Sequence, residues 1–277
     1  MKLDIIRRAL REDIGSGDVT TNALFSKSKV INAVIICKQA AVISGVGIAK
    51  KVFKSLDVTL QFKARVKDGD FIKANKKVIH LRGKARAILT AERTALNFLS
   101  HLSGIATSTH EHVARVKSFN VKIIDTRKTI PGMRTLEKAA VRCGGGSNHR
   151  MGLHSMVLIK DNHKNAFGRK VNIKTLIKSA KKRHGKAKKI EIEVESLREF
   201  RQALEARPDI IMLDNMSIEN MQKAVRLRNG PNPKLEASGN INLKNIRKIA
   251  KTGVDLISIG SIIHSAKAVD FSLEVVG

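Results

Sequence analysis

The chain has 277 residues, 42% of them hydrophobic, which suits one large α/β core or a barrel with a smaller domain beside it. Its two cysteines, Cys37 and Cys143, lack CxxC spacing and exclude a disulfide framework, so they read as small core or turn residues. The net charge of +29, from 53 Lys and Arg against 24 Asp and Glu, is open to three readings: counterion release on nucleic acid, steering of anionic substrates, or biased composition on solvated faces; the absence of Trp and Tyr weighs against stacking on single strands.

In chain order, the first ten residues mix charge into apolar positions at helical spacing, with no signal-peptide core and no cleavage site. No apolar run approaches the ~18 residues of a membrane span, so a cytoplasmic protein without a membrane partner is expected. Gly, Asp and Thr residues across 13–21 read as a loop. Strand-like runs follow at 30–37, 41–44, 60–66 and 77–81, with a turn at 67–70. A helix over 86–103 is expected next, with Ala87, Leu89, Ala91, Ala95, Leu96, Phe98 and Leu99 on its apolar side. Residues 1–104 thus read as an α+β domain.

Beyond residue 105 short apolar strands alternate with helices. The strands are expected at 121–125, 156–160, 190–194, 210–213, 235–238 and 256–259, and helices at 134–141, 197–206, 218–228, 243–251 and 262–268. Apolar strands in this alternation mean parallel strands covered on both faces. Without a dinucleotide-binding glycine fingerprint, the pattern favours a barrel-like sheet, complete or open, over a doubly wound one. The lysine-rich run at 178–189 reads as an exposed helix end and loop.

Polar or glycine residues stand at or just past the end of every expected strand: Asp125, Arg127 and Lys128; Lys160 and Asp161; Glu193 and Glu195; Asp214 and Asn215; Ser238 and Gly239; Gly260 and Ser261. That edge of a β/α barrel carries its active site. Lys128, Lys160, Arg127 and Arg150 supply fixed positive charge and His149 a further donor, while Glu193 and Asp214 supply hard oxygens suited to a water-rich Mg²⁺. The turns at Ser238-Gly239 and Gly260-Ser261, each expected to open a helix, can present N–H groups to a phosphate. A phosphorylated ligand, a divalent cation and a further anion follow. Blander readings stand beside these: a Gly-Ser turn is usually only a turn, and Glu193 and Glu195 could be salt-bridged residues. His101, His110, His112, His154, His163 and His264 show no metal-ligand spacing and read as structural, and no nucleophile elbow is present.

The markers Arg11 to Thr21, Glu92 to Asn97 with Ser103 to Thr107, Asp125 to Thr129, Gly144 to Arg150, Leu158 to His163, Leu213 to Met216 and Glu236 to Gly239 resemble those of the quinolinate phosphoribosyltransferase family, in order and over essentially the whole chain. The resemblance implies an N-terminal α/β sandwich domain (1–104), joined by a last strand within 269–277, and an open α/β, TIM-like barrel (105–268). It also implies a homodimer with shared active sites, assembly beyond the dimer being left open, in which Arg93 reaches a neighbour's site. The implied reaction moves ribose 5-phosphate from phosphoribosyl pyrophosphate to the ring nitrogen of quinolinate, with loss of pyrophosphate and CO₂, for NAD biosynthesis. On this likeness Arg93, Thr126, Arg127, His149 and Arg150, with Lys160 nearby, bind substrate, chiefly the two carboxylates. Lys128 and Lys160 contact pyrophosphate, and Glu193 and Asp214 the ribose hydroxyls, directly or through Mg²⁺. Ser238, Gly239 and Gly260 hold the 5-phosphate, and the catalytic group is Lys128, Lys160, Glu193 and Asp214. Two alternatives remain: a related phosphoribosyltransferase with another acceptor, and a basic nucleic-acid-binding protein on this scaffold. Retention of Glu193 and Asp214, which repel phosphate unless a metal or hydroxyls meet them, speaks against the second.

Overall fold

The computed structural model describes residues 2–168 and 172–277. Two compact units are present: one takes in the chain up to His110 with Thr129–Gly145 and Ile263–Gly277, the other Glu111–Lys128 with Gly146–Ile262. In chain order the elements of the first part are α1 (Lys2–Ile14), α2 (Val19–Leu24), β1 (Val30–Cys37), β2 (Ala41–Val42), α3 (Val46–Leu56), β3 (Gln61–Ala64), β4 (Phe71–Ile72), β5 (Lys76–Lys84) and α4 (Ala85–Val116). They are followed by β6 (Lys122–Ile124), α5 (Arg134–Cys143), β7 (Val157–Ile159), α6 (Asp161–Ala166), α7 (Ile173–His184), β8 (Ile190–Val194), α8 (Leu197–Ala206), β9 (Ile210–Asp214), α9 (Ile218–Arg228), β10 (Lys234–Ser238), α10 (Ile246–Ala250), β11 (Leu256–Ser258), α11 (Ser261–His264) and β12 (Phe271–Val276).

In the first unit β12, β1, β5 and β3 form an antiparallel sheet in that order, and β12 lies along β1 from Asn32 opposite Val276 to Cys37 opposite Phe271. The five residues Ala33–Cys37 are buried, so this strand centres the core of the unit. Local outcomes also differ from the sequence expectation: the short strand β4 was not expected, and the run at 41–44 gives only the two-residue β2. The segment expected as a loop up to Thr21 starts α2, because the Asp18 side chain accepts from Thr21 N–H at 2.9 Å and caps it. Helix α3 was not expected at all, although Ala49, Val52 and Phe53 share its buried face at helical spacing. Helix α4 does not stop at residue 103 but runs through Gly104 to Val116. A side chain at Gly104 would put its Cβ 2.3 Å from the Lys267 carbonyl oxygen, so this glycine allows a close approach rather than ending the helix.

In the second unit six strands, ordered β6-β11-β10-β9-β8-β7, pair in parallel, giving the open barrel sheet. All six expected strands are present, within a residue or two at their ends. Between the edges β6 and β7 no ladder forms among the described residues. Instead Ser147 bridges Ile124, its N–H donating to the Ile123 carbonyl at 2.8 Å, which lays the segment after the glycines along the free side of β6. All five residues of β8 are buried, with Ile190, Ile192 and Val194 alternating with Glu191 and Glu193. Helix α10 is shorter than expected and begins at Ile246: the Asn242 and Asn245 side chains accept from nearby backbone N–H groups and hold residues 242–245 in turns. The basic run ends α7 and continues as a loop into β8, as its polarity suggested.

Cys37 and Cys143 are free, and burial pushes both thiols up. Among the described residues no helix is long and apolar enough to cross a membrane.

Candidate active site

Because every strand of the second unit runs the same way, all six strand ends deliver their residues to one rim. Across the sheet the order is Arg127 and Lys128 after β6, Gly260 after β11, Ser238 and Gly239 at β10, Asp214 at β9, Glu193 at β8 and Lys160 after β7. Glycine turns therefore adjoin each other, the acids adjoin each other, and the lysines follow the two edge strands.

Glu193 is buried, and Lys160 Nζ stands 3.4 Å from its Oε2. Burial pushes the Glu193 carboxyl up, Lys160 opposes that, and Asp214 reinforces it. Carboxylate oxygens of Glu193, Glu195 and Asp214 lie within 4.8 Å of one another, a hard-oxygen donor set of the kind Mg²⁺ takes. Glu195, placed by the sequence only on the rim, thus joins the acidic group. Asp214 accepts at Oδ2 from Asn215 Nδ2 at 2.8 Å, and Asn215 adopts a left-handed backbone, φ 51°. Next to it Gly239 has φ 96°, and a Cβ there would fall 2.1 Å from Asn215 Oδ1. This turn accepts no side chain. It leads into the asparagine turns rather than directly into a helix, so of the two glycine turns only Gly260 directly precedes one, the short α11.

The cationic side is built on β6 and the segment beside it. Thr126 Oγ1 accepts from the Lys128 backbone N–H at 3.0 Å, tightening the turn that leaves the Lys128 side chain exposed. Arg150 Nη1 donates to the Met156 carbonyl at 3.3 Å. Burial, then the neighbouring Arg127, lower the Arg150 pKa, while Glu191 opposes them. Two guanidinium groups held near each other in a part-buried place form a preorganised seat for an anion. His149 is positioned by its backbone N–H, which donates to Asp125 Oδ1 at 2.8 Å, and its ring faces the barrel interior, with Nε2 2.9 Å from Glu191 Oε2. Arg93 lies exposed on α4, in the first unit.

Sequence reasoning named Asp125 at a strand end but missed the buried layer that Glu191 and Glu236 form beneath the rim. Asp125, Glu191 and Glu236 are 0% exposed, and burial pushes Glu191 up to about 8 and Glu236 well above its ordinary range, with the charge of Glu191 adding to the latter shift. The signal was present as carboxylates at alternate positions of one apolar strand and between Leu235 and Ala237 of another. The other histidines are engaged locally where partners are seen: His101 Nε2 with Glu137 Oε1 at 2.8 Å, and His163 Nδ1 with the Lys160 N–H at 2.9 Å.

Two family models match the chain, quinolinate phosphoribosyl transferase N-terminal domain over residues 18–103 and C-terminal domain over 105–274. A Methanocaldococcus jannaschii protein named as a probable nicotinate-nucleotide pyrophosphorylase (carboxylating) is 41% identical, covering 99% of this chain and 97% of that protein. The nicotinate-nucleotide pyrophosphorylase (carboxylating) of Mycobacterium leprae is 39% identical over 98% of this chain and 96% of its own length. The solved nicotinate-nucleotide pyrophosphorylase of Francisella tularensis superposes with a TM-score of 0.93 at 42% identity, covering 99% of this chain and 96% of that one.

Proposed function

The chain belongs to the quinolinate phosphoribosyltransferase family, and on that premise we propose that its rim residues divide the transfer of ribose 5-phosphate from phosphoribosyl pyrophosphate to quinolinate, yielding nicotinate mononucleotide, pyrophosphate and CO₂ for NAD biosynthesis. The observation that carries this reading is the sorted rim: adjacent glycine turns, adjacent acids and a guanidinium pair on one edge of one parallel sheet. Arg127 and Arg150 hold the carboxylates of quinolinate, with Thr126 and His149 shaping the backbone beneath them. Lys128 and Lys160 take the pyrophosphate, and Ser238, Gly239 and Gly260 seat the 5-phosphate. Glu193 and Asp214 face the ribose hydroxyls and, with Glu195, would hold Mg²⁺, which when bound supplies positive charge to the pyrophosphate.

The ring nitrogen forms its bond to the anomeric carbon as the bond to pyrophosphate breaks, and the fixed cations stabilise the departing charge. The nitrogen is then cationic. That charge stabilises the carbanion left when the neighbouring carboxylate departs as CO₂, and a proton from solvent completes the product. No covalent nucleophile is required.

A homodimer belongs to the same proposal, with Arg93 of one copy serving the site of the other; its exposed position on α4 supports this. The cytoplasmic placement is supported by the two free thiols. Incubating the protein with quinolinate, phosphoribosyl pyrophosphate and Mg²⁺ should yield nicotinate mononucleotide and one equivalent of CO₂. Product from nicotinate alone would reassign the acceptor, and no product from either would overturn the proposal.

A further inference from the structure

Beneath the guanidinium pair the second unit buries two carboxyl groups that bind no part of the substrates in the reading above. Glu191 and Glu236 are each 0% exposed, and their oxygens lie with His149 Nε2 inside a group no more than 4.8 Å across. Glu191 Oε2 is 2.9 Å from Nε2 and Glu236 Oε2 is 3.7 Å from it. Glu191 Oε1 and both oxygens of Glu236 are buried away from water, with the two carboxyl groups facing each other and Ser258 beside Glu236. Two buried carboxylates facing each other cannot both remain charged without a cation between them, and the choice is a metal ion or a proton.

The imidazole decides between these. The backbone N–H of Arg150 donates to His149 Nδ1 at 2.8 Å, so Nδ1 presents its lone pair to that N–H. A neutral ring therefore carries its proton on Nε2 and donates it to Glu191. A metal would need the lone pair on Nε2, which this tautomer does not offer. The cation is then a proton shared by the two facing carboxyl groups, and Glu191 Oε2 accepts from the His149 ring.

We propose that Glu191 and Glu236 are positioning residues for the dicarboxylate site: they lock His149 as its Nε2–H tautomer, and the locked ring fixes the backbone from which Arg150 reaches the substrate. Asp125, fully buried, holds the other side of the same peptide by accepting from His149 N–H. The arrangement orients Arg150 before any substrate arrives. It rests on the reading that Arg150 binds a carboxylate of quinolinate.

Nitrogen-15 NMR of imidazole-labelled intact protein tests the lock without any change to the buried pair, the His149 signals being assigned by their loss in His149→Asn. The expected pattern at neutral pH is a protonated Nε2 and an unprotonated Nδ1, unchanged by added Zn²⁺. An Nδ1–H ring, a doubly protonated ring or a metal-shifted Nε2 would overturn the proposal. Kinetics supply the second measurement. Glu191→Leu should raise KM for quinolinate at least ~10-fold while KM for phosphoribosyl pyrophosphate stays within about twofold, and Glu236→Gln, whose amide can replace the acid as donor to Glu191, should keep both near the parent values. Equal rises in both KM values with Glu191→Leu, or no rise in either, would sink it. Arg150→Lys separates the premise from the inference. If Arg150→Lys leaves KM for quinolinate unchanged, both fall, whereas a raised KM there with none in Glu191→Leu removes the positioning role alone.

Discussion

Lys128 stands on a turn that Thr126 tightens, so its ammonium is presented to the rim while its backbone is held. On the proposed role of Lys128 at the pyrophosphate, a cation there contributes chiefly in the transition state, so Lys128→Ala should lower kcat by at least ~10²-fold, read in a steady-state assay at saturating substrates. Gly239 tests the opposite requirement, the absence of a side chain. At φ 96° with Asn215 Oδ1 2.1 Å from an added Cβ, Gly239→Ala forces Asn215 and then Asp214 to move. Its expected effects are a raised KM for phosphoribosyl pyrophosphate and a loss of ~1–3 kcal/mol in urea unfolding. At this scale the rim was legible because an apolar strand ending in a charged or glycine residue is a one-dimensional signal, as at Lys128, Glu193 and Asp214. Glu191 and Glu236 were not: alternation sets two side chains on one face, but only the closure of neighbouring strands over that face makes them buried and mutual.

Adjacent parallel strands need their starting ends secured as well as their chemistry-bearing ends. Asp255, just before β11, accepts from Leu235 N–H at 2.9 Å and from Lys234 Nζ at 3.0 Å, and pairs with Arg228 at the end of α9. Burial pushes its carboxyl up, but the Leu235 N–H and the two cations hold it below the ordinary value of 3.8. A carboxyl with a depressed folded pKa contributes stability that is present above its unfolded pKa and lost as pH falls through the folded one. Asp255→Asn should therefore cost ~1.5–3 kcal/mol near neutral pH, and the gap between variant and parent should close in denaturant melts as the pH falls below 3.8. The six-strand sheet was legible as an alternation of elements, down to the ends of β8. Helices α2 and α3 were less so, since α2 depends on one Asp18 cap at a glycine-rich stretch and α3 sits among strands. The continuation of α4 past residue 103 was not expected, and the reason for a glycine at 104 is tertiary, the approach of the Lys267 carbonyl, which has no local trace in the sequence.

For the whole molecule, the charge of +29 and the proposed sharing of sites make different predictions. The lysine-rich end of α7 leads into the starting end of β8, away from the rim. If selectivity belongs to the few cations proposed at the rim and bulk charge to general polyanion affinity, replacing Lys178, Lys182, Lys186 and Lys188 by Gln should leave kcat/KM within about twofold while weakening retention on heparin. If Arg93 serves a partner's rim, mixing inactive Arg93→Ala and Lys128→Ala chains should restore about a quarter of the parental activity through mixed dimers, whereas sites confined to one chain would restore none. The first unit also has an order of assembly built into it. Strand β12 is made after every strand of the parallel sheet, yet it supplies the outer hydrogen-bonding row of β1, and Val269 N–H donates to the Ser100 carbonyl on the way. While the barrel is being synthesised, β1 emerges with one edge unmet, a long apolar strand open to adventitious pairing. A nascent chain of this kind is most vulnerable to aggregation in the interval between the synthesis of β1 and that of β12, and slowing the ribosome across the barrel would lengthen that interval.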